Sequence, residues 1–236
     1  MKCLILASGF GTRLYPLTLT KAKALLDYKG KPVLSHIVSR VPRDVGIYVS
    51  TNRKFEADFS KWQKELGRDV ELCVEDVWTE EQAKGAVGSL DFWVSQKEIN
   101  EDLMVIAGDN YFEFNLAKLI NAYNGKASLV AVYDIGSIEK ANQFGVARLE
   151  GNKLVELQEK PANPKSSLVA TGCYIFPPRV LALLHGYSST RKRDNLGNLI
   201  SYLIEKDEVY AYPFTEAWFD IALVYDSKVP GNTQNN

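Results

Sequence analysis

The sequence predicts an α/β protein, a three-layer sandwich whose mostly parallel, mixed central sheet is covered by helices on both faces. Three observations predict it. Short apolar runs rich in β-branched residues alternate with segments of helical spacing through residues 1–133. The second half is richer in strands. Glycine-bearing turns follow two of the first-half strands, after Ala7 and after Ala107. Strands alternating with helices build crossover units whose helices pack on both faces of a parallel sheet. Ligands of such sheets bind beyond the carboxyl ends of the strands, where these two turns fall.

Each element follows in order. Residues 2–7 read as a buried strand and 32–41 as a helix opening on Pro32, a residue suited to a first helical turn. Residues 46–51 form a strand of Val, Ile and Tyr. Apolar residues at 55, 59, 62 and 66 give helical spacing over 55–66. A strand at 70–74 precedes a helix at 85–96 that carries Val87, Leu90, Phe92 and Val94. The strand at 103–107 runs into Gly108-Asp109-Asn110, followed by a helix at 116–123 and a strand at 128–133. In the second half, strands at 145–149 and 153–158 flank Glu150-Gly151-Asn152, a hairpin turn. A strand at 170–176 is stopped by Pro177-Pro178; helices at 179–184 and 196–205 follow, then strands at 209–213 and 217–221. No composition break, repeat or low-complexity linker divides the chain, so residues 1–229 are expected to form one domain, with a frayed polar tail at 230–236.

Composition narrows the function classes. With 46% apolar residues a chain of 236 residues can bury a sizeable core. A net charge of −1 gives no broad basic field for nucleic acid, while leaving room for a local pocket that takes a small anion. Cys3, Cys73 and Cys173 lie far apart in apolar runs, without C-x-x-C spacing, and read as reduced buried thiols. Two histidines, His36 and His185, are too few for a typical zinc cluster. No stretch approaches the ~18 apolar residues of a membrane span, and the run at 3–7 is too short for a signal peptide. A soluble cytoplasmic protein is expected, with homo-oligomerisation left open.

The segment that carries most chemistry is Ala7-Ser8-Gly9-Phe10-Gly11-Thr12-Arg13-Leu14-Tyr15-Pro16-Leu17-Thr18, followed by Lys21 and Lys23. Gly9 and Gly11 let the backbone turn tightly and approach a ligand with no Cβ in the way. Successive N–H groups in such a turn form an anion nest. Arg13 adds a fixed cationic fork and Lys23 a mobile point charge, so the loop suits a triphosphate. It is neither a Walker loop nor a dinucleotide fingerprint, since Leu14 stands where the third glycine would be.

Leu-Ala-Ser-Gly-Phe-Gly-Thr-Arg-Leu-Tyr-Pro-Leu-Thr, followed by Lys-Ala-Leu-Leu-Asp-Tyr-Lys-Gly-Lys-Pro-Val-Leu, resembles the signature of the sugar-1-phosphate nucleotidyltransferases, such as the glucose-1-phosphate thymidylyl- and uridylyltransferases. The resemblance runs from Leu4 to about Asp220 and implies a Rossmann-like fold. Its nucleotide-binding part would span about 1–115 and its sugar-binding part about 116–229. It implies that Ala7, Ser8, Gly9, Gly11, Thr12, Arg13 and Gly85 hold the nucleotide, and that Arg13, Lys23 and Asp109 are catalytic. Asp109, in Ile106-Ala107-Gly108-Asp109-Asn110, would hold Mg²⁺ together with Asp220 of Ala217-Trp218-Phe219-Asp220. The continuation Ile221-Ala222-Leu223 departs from the family's Asp-Thr-Gly or Asp-Ile-Gly-Thr. Asn110, Gly145, Glu159, Lys160, Ala170, Thr171, Gly172 and Tyr174 would form the sugar-phosphate site. The segment at 80–85 sits where the family reads the base. The basic run Arg191-Lys192-Arg193 reads as a solvated loop.

The resemblance implies a nucleoside triphosphate and a sugar 1-phosphate as partners, with dTTP or UTP and glucose 1-phosphate ranked first and GTP with mannose 1-phosphate behind. A cytidylyltransferase acting on phosphocholine or another non-sugar phosphate would share the front half. A nucleotide-binding regulatory homologue without catalysis is a third reading, which the retained Lys23 and Asp109 oppose.

Overall fold

The computed structural model describes residues 1–190 and 194–226; the basic run at 191–193 and the tail at 230–236 lie outside the described residues. In chain order the elements are β1 (Lys2–Leu6), β2 (Asp27–Tyr28), β3 (Lys31–Pro32), α1 (Val33–Arg40), β4 (Gly46–Asn52), α2 (Glu56–Glu65) and β5 (Glu71–Glu75). Then come α3 (Gly85–Gln96), β6 (Leu103–Ala107), β7 (Asn110–Phe112), α4 (Leu116–Ala122), β8 (Ser128–Asp134), β9 (Gly145–Glu150) and β10 (Lys153–Glu159). The last are β11 (Leu168–Phe176), α5 (Pro178–Thr190), α6 (Leu196–Lys206), β12 (Val209–Phe214), β13 (Trp218–Asp220) and α7 (Ile221–Asp226).

Nine strands form one mixed sheet in the order β5-β4-β1-β6-β11-β8-β12-β10-β9. The first four are parallel, as the alternation of the first half requires. β11 runs antiparallel to β6 and β8, and β12 returns parallel to β8. The hairpin β9–β10 completes the order, and one pairing, Val169↔Val146, brings β9 back against β11. The central strands are apolar on both faces because both are covered. Cys3 and Ile5 of β1, Met104 and Ile106 of β6, and Cys173 and Ile175 of β11 enter the core that holds Leu34, Phe59 and Leu116 of α1, α2 and α4. Their neighbours Leu4, Val105 and Tyr174 point the other way, toward Leu90, Val180 and Leu199 of α3, α5 and α6. These two cores define the three layers.

The three cysteines are free and buried, and burial pushes the Cys3 and Cys73 thiols up to about 12. No helix among the described residues is long and apolar enough to cross a membrane.

Three differences from the sequence-based expectation matter. The helix expected at 179–184 continues to Thr190. Tyr187 and Ser188 carry it on by being buried, and the Ser188 hydroxyl donates to Asp91 of α3. The strand expected over 217–221 stops at Asp220, because Ile221 begins α7 and the Ala222 N–H donates to Asp220 Oδ1 at 2.8 Å. That contact is an N-cap of the usual kind. Finally, β7 and β13 form a separate antiparallel ribbon, in register Trp218↔Phe112, Phe219↔Tyr111 and Asp220↔Asn110.

Candidate active site

The loop after β1 is held from below by the end of β4. Ala7 N donates to Ser50 O at 3.2 Å and Ser50 Oγ at 3.1 Å, and Asn52 Nδ2 donates to Ser8 O at 2.8 Å. Ser50, Thr51 and Asn52 are fully buried. Gly11 has φ 66°, and a Cβ there would lie 3.2 Å from Lys23 Cβ and Thr18 Cγ2, so its conformation and its close neighbours both require glycine. The buried Thr18 hydroxyl donates to Gly11 O at 2.7 Å and pins the turn. Gly9, by contrast, has nothing within 4 Å of its Cβ position. Its α-carbon faces the open cleft.

Lys23, Asp109 and Asp220 meet at the carboxyl end of the sheet. The buried Lys23 ammonium donates to Asp109 Oδ2 and Asp220 Oδ1, both at 2.7 Å. Three pieces of backbone bring these residues together. Lys23 starts a tight turn, Lys23–Leu25. Asp109 lies in the turn between β6 and β7, where Gly108 N donates to Leu6 O at 2.8 Å. A Cβ on Gly108 would stand 2.8 Å from Ala7 Cβ and 2.9 Å from Leu6 O, so only glycine lets this turn pack on the loop after β1. Asp220 arrives on β13, opposite Asn110, and Ile221 N locks it by donating to Asp109 O at 2.9 Å. Asn110 Nδ2 donates to Asp109 Oδ1 at 2.9 Å.

The charges are interdependent. Burial opposes ionisation of Asp109, but Lys23, its hydrogen bond and then Arg13 hold that carboxyl below its ordinary range. Burial and the neighbouring Asp109 push Asp220 up, against the pull of Lys23. Burial also works against the Lys23 charge, and the two carboxylates more than offset it. One ammonium therefore neutralises part of a doubly acidic site.

Two cavities meet here. The first, about 410 Å³, is lined by the loop residues Ala7, Ser8, Gly9, Gly11, Thr12 and Arg13, with Lys23, Asp109, Glu80 and Gly85. The second, about 500 Å³, brings together Asn110, Gly145, Glu159, Lys160, Ala170, Thr171, Gly172, Tyr174 and Asp220. Arg13, Ala107 and Asp109 line both, so every residue picked from the sequence borders one continuous cleft. Asp194, Asn195 and Gly197, at the start of α6, also line the second cavity and were missed; only the Asx-type cap at Asn195 marks them in the sequence. Not every predicted side chain faces the cavity with a free polar group. The buried Thr171 hydroxyl donates to Ala131 O at 2.9 Å. A third hollow of about 370 Å³, between α1 and α2, is lined by Trp62 and Arg68, whose guanidinium is spent on the carbonyls of Val38, Val41, Pro42 and Val45.

Glu159 stands out in the second cavity. A Cβ on Gly197 would fall 2.0 Å from its Oε2 and one on Gly145 3.2 Å, so two glycines make room for this carboxylate. Burial raises its pKa, only partly opposed by Lys160. A carboxyl whose folded pKa is raised loses stability as pH climbs from the unfolded value through the folded one. Glu159→Gln is therefore expected to melt higher than the parent at neutral pH, with the gap closing as pH falls below the ordinary carboxyl range, as read by thermal melts across pH. An unchanged or lower melting temperature at pH 7 contradicts this.

Comparison with known proteins agrees with the fold. The chain belongs to the nucleotidyl transferase family, whose model matches residues 2–225. It is 33% identical over 233 residues to a Sulfolobus acidocaldarius protein assigned as a mannose-1-phosphate guanyltransferase, covering 96% of this chain and 61% of that one. It is 29% identical over 240 residues to the glucose-1-phosphate adenylyltransferase of a Shewanella species, covering 89% of this chain and 56% of that one. The chain thus spans little more than half the length of these relatives. A Bacillus anthracis protein assigned as a glucose-1-phosphate thymidylyltransferase, crystallised with sucrose, superposes with a TM-score of 0.83 at 24% identity, over 100% of this chain and 97% of that one. That likeness shows the fold.

Proposed function

We propose that this chain transfers a nucleotidyl group from a nucleoside triphosphate to a sugar 1-phosphate, releasing pyrophosphate. The observation that carries the reading is the meeting of two cavities at Lys23, Asp109 and Asp220, one under a glycine loop bearing Arg13 and one holding Glu159 and Lys160. Relatives named as sugar-1-phosphate guanylyl- and adenylyltransferases support it and differ in the nucleotide they use.

The donor set suits Mg²⁺. Two carboxylates offer hard oxygen ligands from one side, and among the described residues no group of three or more His, Cys, Asp or Glu forms a protein cage. Magnesium is held in this way, by one or two carboxylates, with substrate phosphates and water completing its shell. Held by Asp109 and Asp220, it would neutralise charge on the phosphate oxygens.

The remaining work falls to the chain's own residues. A phosphate monoester has a second pKa near ~6, so the sugar phosphate needs no general base at neutral pH. Its oxygen attacks the α-phosphorus in line. The new P–O bond forms as the bond to the β-phosphate bridge breaks, and pyrophosphate leaves with the electron pair. Catalysis then rests on positioning two anions and offsetting their charge. Arg13, at the border of both cavities, and Lys23 serve the triphosphate, and Lys160 serves the sugar phosphate. Glu159 accepts from sugar hydroxyls. Asn110 orients Asp109 through its hydrogen bond.

A panel of nucleoside triphosphates against glucose 1-phosphate, mannose 1-phosphate and phosphocholine, read by pyrophosphate release with Mg²⁺, tests the proposal. Release is expected with a sugar phosphate; release with phosphocholine alone, or with none, overturns it.

A further inference from the structure

We propose that the third hollow, between α1 and α2, is a second ligand site. It takes a small organic anion with one flat ring, the ring against Trp62 and the anionic group at Arg43 and Lys31. None of its lining residues borders either cavity of the cleft, so the proposal is independent of the nucleotidyl-transfer reading. At about 370 Å³ the hollow has the size of a small-molecule site, typically an apolar concavity with a few placed polar groups.

The wall follows from helical spacing. Pro32, Ser35 and Ser39 recur at intervals of three and four and line up along one side of α1. Trp62 and Leu66, four apart, face them from the end of α2. Trp62 is buried, and its Nε1 donates to Ser35 Oγ at 2.8 Å, which fixes the indole against α1. Gly67 then turns the chain with φ 64° and has nothing within 4 Å of its Cβ position, so this side stays open. The adjoining Arg68 reaches back to the last carbonyls of α1 and the turn beyond it, which holds the two helices at a set spacing.

The charge of the hollow is one-sided. Lys31, Arg43 and Arg68 line it, against Glu65 alone. Arg68 gives its terminal N–H groups to neutral carbonyls, so its charge meets no carboxylate in an ion pair among the described residues. Burial holds the Arg68 guanidinium below its ordinary pKa, and the nearby Arg43 adds to this, so two like charges stand close together. Asp44 attracts Arg68 as well, but it lines no part of the hollow. Arg43 and Lys31 are exposed and make no hydrogen bond or ion pair among the described residues. A planar fork and a point charge are thus available at the rim, and both suit a phosphate or carboxylate. An uncharged ring would gain only the wall, and a cation would meet like charge.

Phenyl phosphate is the probe, titrated calorimetrically into the parent, Arg43→Gln, Ser39→Glu and Lys160→Gln. Arg43 and Ser39 are exposed, so their variants are expected to melt with the parent. The parent is expected to bind phenyl phosphate at least about tenfold more tightly than inorganic phosphate or phenol. Arg43→Gln should lose about tenfold of that affinity, the share of one charge-assisted contact, and Ser39→Glu, which sets a negative charge in the hollow, at least as much. Lys160→Gln should keep it, because Lys160 lies in the cleft. Binding that survives both hollow variants, or that falls with Lys160→Gln instead, puts the anion in the cleft and overturns the assignment. So does a parent that binds no phenyl phosphate, or that binds inorganic phosphate or phenol as tightly, since the ring and the charge are then not read together.

Discussion

Lys23→Ala is expected to lower the turnover of nucleotidyl transfer by about 10²–10³-fold or more, with cooperative unfolding retained. Lys23 is the group through which both acidic residues are held, at 2.7 Å to each. In the free protein it offsets two carboxylates that burial would otherwise force toward protonation. On the proposed reading the same ammonium would stand beside the phosphates as charge moves to the leaving pyrophosphate. Stability responds in a calculable direction. Losing one partner of a buried pair leaves uncompensated charge, usually at about 3–5 kcal/mol, but this site opens on a solvent-filled cleft and one carboxyl can take up a proton, so a smaller loss is expected. Steady-state pyrophosphate release from purified protein, with circular dichroism melts alongside, reads both effects. A near-parental rate removes Lys23 from the mechanism.

Asp109→Ala is the second large effect, and its signature differs. Turnover should again fall by about two to three orders of magnitude. The Mg²⁺ concentration for half-maximal rate should also rise, by more than the ~10–100-fold that follows loss of a mere outer-shell partner of a metal ligand. Lys23→Ala lacks that second shift, because both carboxylates remain. Rate measurements across a Mg²⁺ series for the two variants separate a metal ligand from a charge-neutralising residue. An Asp109→Ala enzyme with the parent's Mg²⁺ dependence would show that Asp109 is not a ligand.

Most of the cleft was legible in the sequence because its parts lie on short contiguous blocks. Gly11 and Gly108 are marked by type, and they sit where a Cβ would meet Lys23 and Thr18 or the loop after β1. Arg13 and Lys23 stand out by charge beside the glycines and Asp109 by resemblance, and all three border the cleft. Harder to read were features without periodicity. β7 and β13 have three residues each, too few for an alternation to register. For that reason the altered residues after Asp220 could not be placed in advance, and they prove to be the first turn of α7. Ser50, Thr51 and Asn52 end a strand otherwise read as apolar. Polar residues buried at a strand's carboxyl end were the available signal that this strand supports a neighbouring loop. The register that seats Glu159 between Gly145 and Gly197 depends on α6 docking against β10, which no local pattern encodes.

The ribbon of β7 and β13 has a consequence for how the protein is made. It joins residues about a hundred positions apart, and the three charged groups at the junction come from near residues 23, 109 and 220. During synthesis the residues of β1, β4, β5 and β6 are made well before those of β13, since chains grow from the N-terminal side. That early part of the chain contains the glycine loop after β1 and Lys23 but only one of the two carboxylates. On the proposed reading the reaction centre is completed only when β13 leaves the ribosome and pairs with β7. Nascent chains shorter than that hold an unfinished acidic site, and competence for chemistry arrives in a single late step of long sequence separation.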